Sequence, residues 1–352
     1  MAVEFERVIV KIFKMILPVI GILSPLMAHA QDDGFVTKHY GRPRMLVAIR
    51  GGRHLNMVCI GTGKPTVIFL SGLGGGTFDW RKVQPAIGKV ARACAYDRAG
   101  YGFSTSGSAP VDLDNTILDL HALLHSKTIS TPVVLVGHSL GGLYATVYAR
   151  RYRADLAGMV LVDPAFAGQQ RAIALAIGPQ AAGRMAASDG RTLTMLDRCV
   201  ALAKSGRLST PAEAKSDCLD NPPDPDGEVH RERDREEKTY DFERAVRSEF
   251  LSANITDAHH GTIDDRQSAV GSRDLGALPL VILTRGNGSD LPGLSAQENA
   301  KADAVWREGH DRLAALSTAG SNTIVPRSGH FIQLDQPDAV IAAIRQLLDR
   351  LR

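Results

Sequence analysis

From residue 45 onward, apolar and polar positions follow two alternating rhythms. Residues 45–49 are mostly apolar, Gly51 and Gly52 follow, and Leu55, Met57 and Cys59 then occupy every second position. That pattern predicts a β-hairpin. Residues 66–70 read TVIFL, a continuous apolar run expected of a strand covered on both faces. A glycine-rich loop, 71–76, comes next, and a strand through Cys94, Ala95 and Tyr96 leads into Asp97. Leu113, Ile117, Leu120 and Leu124 recur at helical spacing. Further strands are predicted at 133–136, 158–162, 280–283 and 323–325, with a helix over 143–151. A C-terminal helix places Val340, Ile344, Leu347 and Leu351 on one face. Strands alternating with helices predict an α/β fold, a mostly parallel sheet with helices on both of its faces.

The alternation breaks over residues 165–277. This stretch has helical patches, a Pro-rich loop at 221–223 and a mixed charge run over 228–247 that reads as a solvated helix face. Inserted between two core strands, it reads as a helical cap over the C-terminal edge of the sheet. Residues 224–227 look like a fragment of a calcium loop, but the downstream glutamate is misplaced, so they read as a plain turn. The division is then a first part of the core at 31–164, a cap at 165–278 and a second part of the core at 279–352. No internal repeat occurs.

Residues 1–30 have the make-up of a secretory signal. Arg7, Lys11 and Lys14 give a basic start, and residues 15–28 are apolar. That run is shorter than the roughly 20 residues a bilayer span takes. Ala28-His29-Ala30 fits the small-x-small cleavage pattern, and Pro18 and Pro25 break a regular helix. The mature chain is expected to begin near Gln31 and to work in the periplasm or outside the cell, with no stable membrane span. The formal charge is only +3 and no long basic run is present, which argues against a nucleic-acid partner. Apolar residues make up 44% of the 352, enough for a sizeable core.

The chemistry centres on Gly137-His138-Ser139-Leu140-Gly141, a G-x-S-x-G set directly after an apolar strand and directly before a helix. A serine in that strained turn projects its hydroxyl out of the sheet, and flanking glycines remove side chains that would collide with neighbouring backbone. The hydroxyl needs a base. His330, in Ser328-Gly329-His330-Phe331, follows the last strand and is the expected one. His310, in a predicted helix, reads as a surface or packing residue, and His259 and His260 lie in the cap with no strand to aim them. Two carboxylates stand at strand ends and give the order Ser, Asp, His: Asp163, which abuts its strand, and Asp290, in the loop Gly286-Asn287-Gly288-Ser289. Asp163 is favoured, with Asp290 the alternative. Oxyanion donors are expected from the backbone N–H of Leu140 and from the 71–76 loop at Leu73, with Gly74 beside it.

GHSLGG at 137–142, YDRAGYGFS at 96–104, LVDP at 161–164 and SGHFIQLDQP at 328–337 together resemble the α/β-hydrolase superfamily, in its broad "alpha/beta hydrolase fold-1" branch. The likeness covers residues 44–164 and 279–352. It implies an eight-stranded sheet, the triad and the oxyanion hole, with Ser139 and His330 in the catalytic positions. The acid follows either of two strands in that superfamily, so Asp163 and Asp290 both stand. The chain departs from the superfamily's common His-Gly start of the oxyanion loop in having Ser71-Gly72, and Asp97-Arg98 resemble its structural turn.

The expected activity is hydrolysis of carboxylic esters through an acyl-enzyme on Ser139, with no metal or organic cofactor and with a small-molecule or lipid-like ester as substrate. Serine at the elbow argues against the haloalkane dehalogenase and epoxide hydrolase chemistries, which use aspartate there in relatives. The alternatives are an amidase, peptidase or acyltransferase with the same triad, or a catalytically silent binding protein on this scaffold. The four cysteines form no CxxC pair of the kind a zinc site uses, and an even number in an exported chain permits two disulfides. In a sheet of this kind the strand of Cys59 runs antiparallel beside that of Cys94, which predicts Cys59–Cys94. Cys199 and Cys218, both in the cap, are expected to pair with each other.

Overall fold

The computed structural model describes residues 33–210, 218, 239–257 and 260–352. The signal-like segment, the 221–227 loop and turn, the first half of the charge run and His259 lie outside the described residues.

Eight strands form one sheet in the order β1-β2-β4-β3-β5-β6-β7-β8. They are β1 (Met45–Ala48), β2 (His54–Ile60), β3 (Val67–Leu70), β4 (Ala93–Tyr96), β5 (Val133–His138), β6 (Leu156–Val162), β7 (Leu280–Arg285) and β8 (Gly320–Val325). Only the β1–β2 and β2–β4 pairings are antiparallel, and the remaining five are parallel. Gly51 and Gly52, at φ 73° and 70°, turn the first hairpin in a left-handed conformation that costs glycine little.

Helices occupy both faces. In chain order they are α1 (Asp33–Tyr40), α2 (Gln84–Ile87), α3 (Leu113–Leu124), α4 (Leu140–Arg151), α5 (Gln169–Ile177), α6 (Pro179–Lys204), α7 (Tyr240–Asn254), α8 (Ile263–Gln267), α9 (Ala296–Ala314), α10 (Ile332–Asp335) and α11 (Pro337–Arg350). Successive strand side chains point to opposite faces, so each apolar run feeds two cores. Ile68, Leu70, Leu135, Met159 and Leu161 pack with Ile117 and Leu120 of α3 and with Tyr144 and Tyr148 of α4. Val67, Phe69, Val134, Val136, Val160 and Val162 pack on the other face with Trp80 and with Val340, Ile344 and Leu347 of α11. This is why the central strands read as unbroken apolar runs.

Helices α5 to α8 fall between β6 and β7, where the sequence places its cap. Glu249 of α7 is fully buried, and its carboxylate accepts hydrogen bonds from Arg98 Nη2 (3.0 Å), Tyr101 Oη (2.6 Å) and Tyr144 Oη (3.0 Å). The insert is thereby fastened to the core beside the 71–76 loop.

Both predicted cysteine pairs are joined. Cys59 and Cys94 face each other directly in the β2–β4 register, with Cα atoms 4.1 Å apart. Cys199 of α6 reaches Cys218 at a Cα separation of 5.4 Å. Among the described residues no helix is long and apolar enough to cross a membrane.

Candidate active site

Strand β5 ends at His138 and α4 begins at Leu140, which leaves Ser139 alone in the turn between them. Its backbone sits at φ 51°, ψ −122°, a strained conformation for a residue with a side chain. The turn closes because its glycines lack Cβ atoms. A Cβ on Gly137 would meet the Gly141 carbonyl, and one on Gly141 would strike the carbonyls of Leu70 and Ser71. The strain turns the Ser139 hydroxyl toward His330, whose Nε2 lies 2.9 Å from Ser139 Oγ.

His330 follows β8 and is 8% exposed. Its Nδ1 donates to Asp163 Oδ2 at 2.6 Å. Asp163 directly follows β6, is fully buried and carries a positive φ of 42°. The carboxylate is fully engaged. Oδ1 accepts from the Arg285 backbone N–H (3.1 Å) and from Trp306 Nε1 (2.9 Å), and Oδ2 also accepts from Arg285 Nη1 (2.7 Å). Burial alone would push this carboxyl up, but Arg285 and His330 outweigh it and hold Asp163 well below the usual carboxylate range.

The structure thus brings Ser139, His330 and Asp163 into one hydrogen-bonded line and leaves Asp290 exposed on its loop. His310 is not a surface residue. It is fully buried, with Nε2 at 2.8 Å from the Pro164 carbonyl and Nδ1 at 2.7 Å from Thr284 Oγ1. It braces the turn that carries Asp163. His138 lies behind the site against His330, and burial, with His330 next, lowers its pKa to about 3. It is neutral and structural.

Leu140 opens α4, so its N–H has no intrahelical acceptor. Leu73 and Leu140 both line a cavity of about 90 Å³ in front of Ser139 and His330. Ser71, which stands where a histidine is common, accepts from Trp80 Nε1 (3.0 Å) and donates to the Gly76 carbonyl (2.6 Å). Arg98 holds the carbonyls of Ser71 and Gly72, each at 2.7 Å. The loop carrying Leu73 is therefore fixed from both sides, and the Asp97-Arg98 turn does part of that work. The remaining cavity wall comes from Ala165, Ile173, Ala253, Leu291, Ala302 and Trp306, with Gln169, Gln170, Asn254, Arg285 and Ser289 as polar members.

Arg285, Trp306 and Glu249 escaped sequence reading. Each acts across more than a hundred residues, and nothing next to it in sequence marks it out.

Known proteins give the same architecture. The chain is 24% identical over 302 residues to the 2-succinyl-6-hydroxy-2,4-cyclohexadiene-1-carboxylate synthase of Escherichia coli, covering 81% of this chain and 94% of that one. It is 31% identical over 105 residues to the uncharacterized protein YqjL of Bacillus subtilis, and spans only 42% of that relative's length. A thermophilic esterase from Thermogutta terrifontis, solved with malate, superposes with a TM-score of 0.57 at 20% identity, over 88% of this chain and 99% of that one. The haloalkane dehalogenase DatA from Agrobacterium tumefaciens superposes at 0.60 with 18% identity, over 88% and 96%. At those identities the likeness concerns the fold. The family model for alpha/beta hydrolases matches residues 67–343, from β3 into α11, and the chain belongs to the alpha/beta hydrolase family.

Proposed function

We propose that the protein hydrolyses carboxylic esters through an acyl-enzyme on Ser139. The observation that carries this reading is the line from Ser139 Oγ through His330 to Asp163, at 2.9 and 2.6 Å. In the first half-reaction His330 Nε2 takes the hydroxyl proton as Oγ attacks the ester carbonyl. Asp163 accepts from Nδ1 and stabilises the imidazolium that forms. The oxyanion is met by the N–H groups of Leu140 and Leu73. His330 then hands its proton to the departing alcohol. Water, deprotonated by His330, attacks the acyl carbon and releases the carboxylic acid and Ser139.

The apolar cavity is the subsite for the acyl group. One water needs roughly 10–15 Å³ on such a measure, so about 90 Å³ holds several water-sized groups, which favours a short acyl chain. Residues 165–278 act as the cap that closes this subsite, with 31–164 and 279–352 as the core. Two disulfides and the signal-like segment at 1–30 support export to an oxidising compartment.

A fluorophosphonate probe should label the protein at Ser139. p-Nitrophenyl acetate and butyrate should be cleaved faster than the dodecanoate. Ser139→Ala and His330→Ala should each lose about 10³-fold or more in turnover while remaining folded. A Ser139→Ala variant that keeps a tenth of the parent activity overturns the assignment. Labelling without ester cleavage, but with amide cleavage or acyl transfer, moves the chemistry to an amidase or acyltransferase. No labelling at all returns the chain to a silent binding scaffold.

A further inference from the structure

We propose that His121, His125 and Asp155 form a binding site for a divalent transition-metal ion of the zinc class, separate from Ser139 and independent of the esterase reading. His121 and His125 stand four residues apart on α3 and so share one face of the helix. Asp155 closes the short turn Arg153–Asp155 that leads from α4 into β6. His125 Nε2 lies 3.0 Å from Asp155 Oδ2, and His121 Nδ1 lies 3.5 Å from the same oxygen. All three donor atoms fall within 4.8 Å of one another. A tetrahedral zinc ion with bonds of about 2.0–2.2 Å needs ligand atoms roughly 3.3 Å apart. The two distances to Asp155, 3.0 and 3.5 Å, match that spacing, and the two imidazoles, within 4.8 Å of each other, would close by up to about 1.5 Å around the ion.

The surroundings orient these groups as a metal site requires. Tyr148 Oη donates to Asp155 Oδ2 at 2.6 Å, the kind of outer hydrogen bond that fixes a ligating carboxylate, and lies 3.0 Å from His121 Nδ1, a contact the ion would replace. The Tyr152 ring stacks on His121, with centroids 4.0 Å apart and planes 14° from parallel. The nearby cations are turned elsewhere: Arg151 binds Asp114 and the Gln267 carbonyl, and Arg153 binds the carbonyls of Leu275 and Leu156. His121 and His125 are 34% and 48% exposed, so an ion can enter and keep water at its fourth position. Two imidazoles and one carboxylate suit Zn²⁺, Ni²⁺ or Cu²⁺ and not the all-oxygen shells of Ca²⁺ or Mg²⁺.

The site's place in the fold says what the ion does. Asp155 and Asp163 stand at opposite ends of β6, about 25 Å apart at the usual rise per strand residue. The ion would tie α3 to the α4–β6 turn at the end of the sheet away from Ser139, as a structural clamp.

The test is calorimetric titration of Zn²⁺ into tag-free, chelator-treated protein, alongside His125→Ala and His260→Ala. The parent should show a single saturable site of micromolar affinity or tighter and a melting temperature that rises with Zn²⁺. Co²⁺ in its place should give visible d–d absorption. His125→Ala, a change at a half-exposed position, should weaken binding by about tenfold or more and abolish the thermal shift. His260→Ala, which alters an exposed histidine beside Asp257, should bind like the parent. No saturation up to about millimolar Zn²⁺, well beyond the affinities of structural sites, or equal binding by His125→Ala, overturns the proposal. None of these readouts depends on ester turnover, so the proposal stands or falls apart from the role of Ser139.

Discussion

Arg285 forms a buried ion pair with Asp163, its Nη1 lying 2.7 Å from the same Oδ2 that accepts from His330. Arg285 extends further, to Asp303 Oδ1 at 3.0 Å and to Ser289 Oγ, so the acid beside His330 is part of a network at the end of β7. The depressed pKa of Asp163 has a definite sign for stability. Its contribution is fully present above the ordinary unfolded value near 4 and is lost only as pH falls below that. Acid sensitivity above about pH 5 must therefore arise from other groups.

Asp163→Asn and Asp290→Asn separate the two carboxylates the sequence left open. Asp163→Asn should lower turnover by about 10⁴-fold, because an amide does not stabilise the imidazolium or select its tautomer. It should also lower the melting temperature, since buried Arg285 keeps only Asp303 as a carboxylate partner. Breaking a buried pair costs about 3–5 kcal/mol, and Asp303 places this case at the low end. Asp290→Asn, at an exposed loop position, should leave both quantities unchanged. Ester kinetics and thermal melts of the two variants decide it: activity lost only in Asp290→Asn would reverse the assignment of the acid.

Glu249→Gln tests the fastening of α7 to the core. The substitution preserves shape but leaves the buried Arg98 guanidinium without its carboxylate, an expected loss of about 3 kcal/mol or more. Arg98 also holds the carbonyls ahead of Leu73, so looser anchoring should reduce kcat by about tenfold with a smaller change in KM. Paired melting curves and steady-state kinetics read both effects. An unchanged melting temperature would show that the insert is held by other contacts.

The cysteine pairs give a third prediction. Cys199 and Cys218 are 19 residues apart and Cys59 and Cys94 are 35 apart, so chain entropy assigns their closure about 3 and about 4 kcal/mol respectively. Cys199→Ser with Cys218→Ser should destabilise the insert, measured as earlier proteolysis of residues 165–278. The same change at Cys59 and Cys94 should lower the melting temperature of the whole domain. Four cysteines alkylated without reductant in protein isolated from an oxidising compartment would contradict both pairings.

The central strands were legible because burial on both faces leaves a continuous apolar run, as at 66–70 and 133–136. Boundaries were less so. Helix α4 starts at Leu140, earlier than the predicted 143, because Gly141 and Gly142 have low helix propensity and are retained for the close approach at the turn. Strand β8 starts at Gly320 and not at 323, since an edge strand tolerates polar residues such as exposed Ser321 and half-buried Asn322. Ser139 and His330 stand out because their chemistry is tied to a local motif. Arg285, Trp306 and Glu249 do not, because their partners lie 122, 143 and 151 residues away and nothing beside them in sequence marks them: Arg285 closes β7, and Trp306 and Glu249 sit inside α9 and α7. The 26-residue α6 was visible only as helical patches, its small and polar residues giving a weak apolar stripe.

Asp264, in the short helix α8, is expected to make the insert's docking pH-dependent. Its carboxyl is buried, with Oδ1 accepting from the Leu113 N–H at the start of α3 and from Ser252 Oγ of α7. Burial is the largest influence and raises its pKa; the Ser252 and Leu113 hydrogen bonds oppose it, Glu249 and Asp112 add to it, and the net result is a pKa pushed up to about 7. A carboxyl raised on folding stabilises the native state fully below its unfolded pKa near 4, and that contribution is lost as pH rises toward 7. Over that interval the unfolded chain has released its proton while the folded chain still holds it. Asp264→Asn keeps the acceptor oxygen facing Leu113 and Ser252 and cannot ionise. Its stability relative to the parent should therefore climb between pH 4 and pH 7 and level off above, by on the order of 4 kcal/mol in total. Urea unfolding of both proteins at each pH unit measures this difference, in which the other titrating groups cancel. Parallel stability curves from pH 4 to pH 8 would mean that Asp264 is already ionised in the folded protein and that the insert is held without its proton.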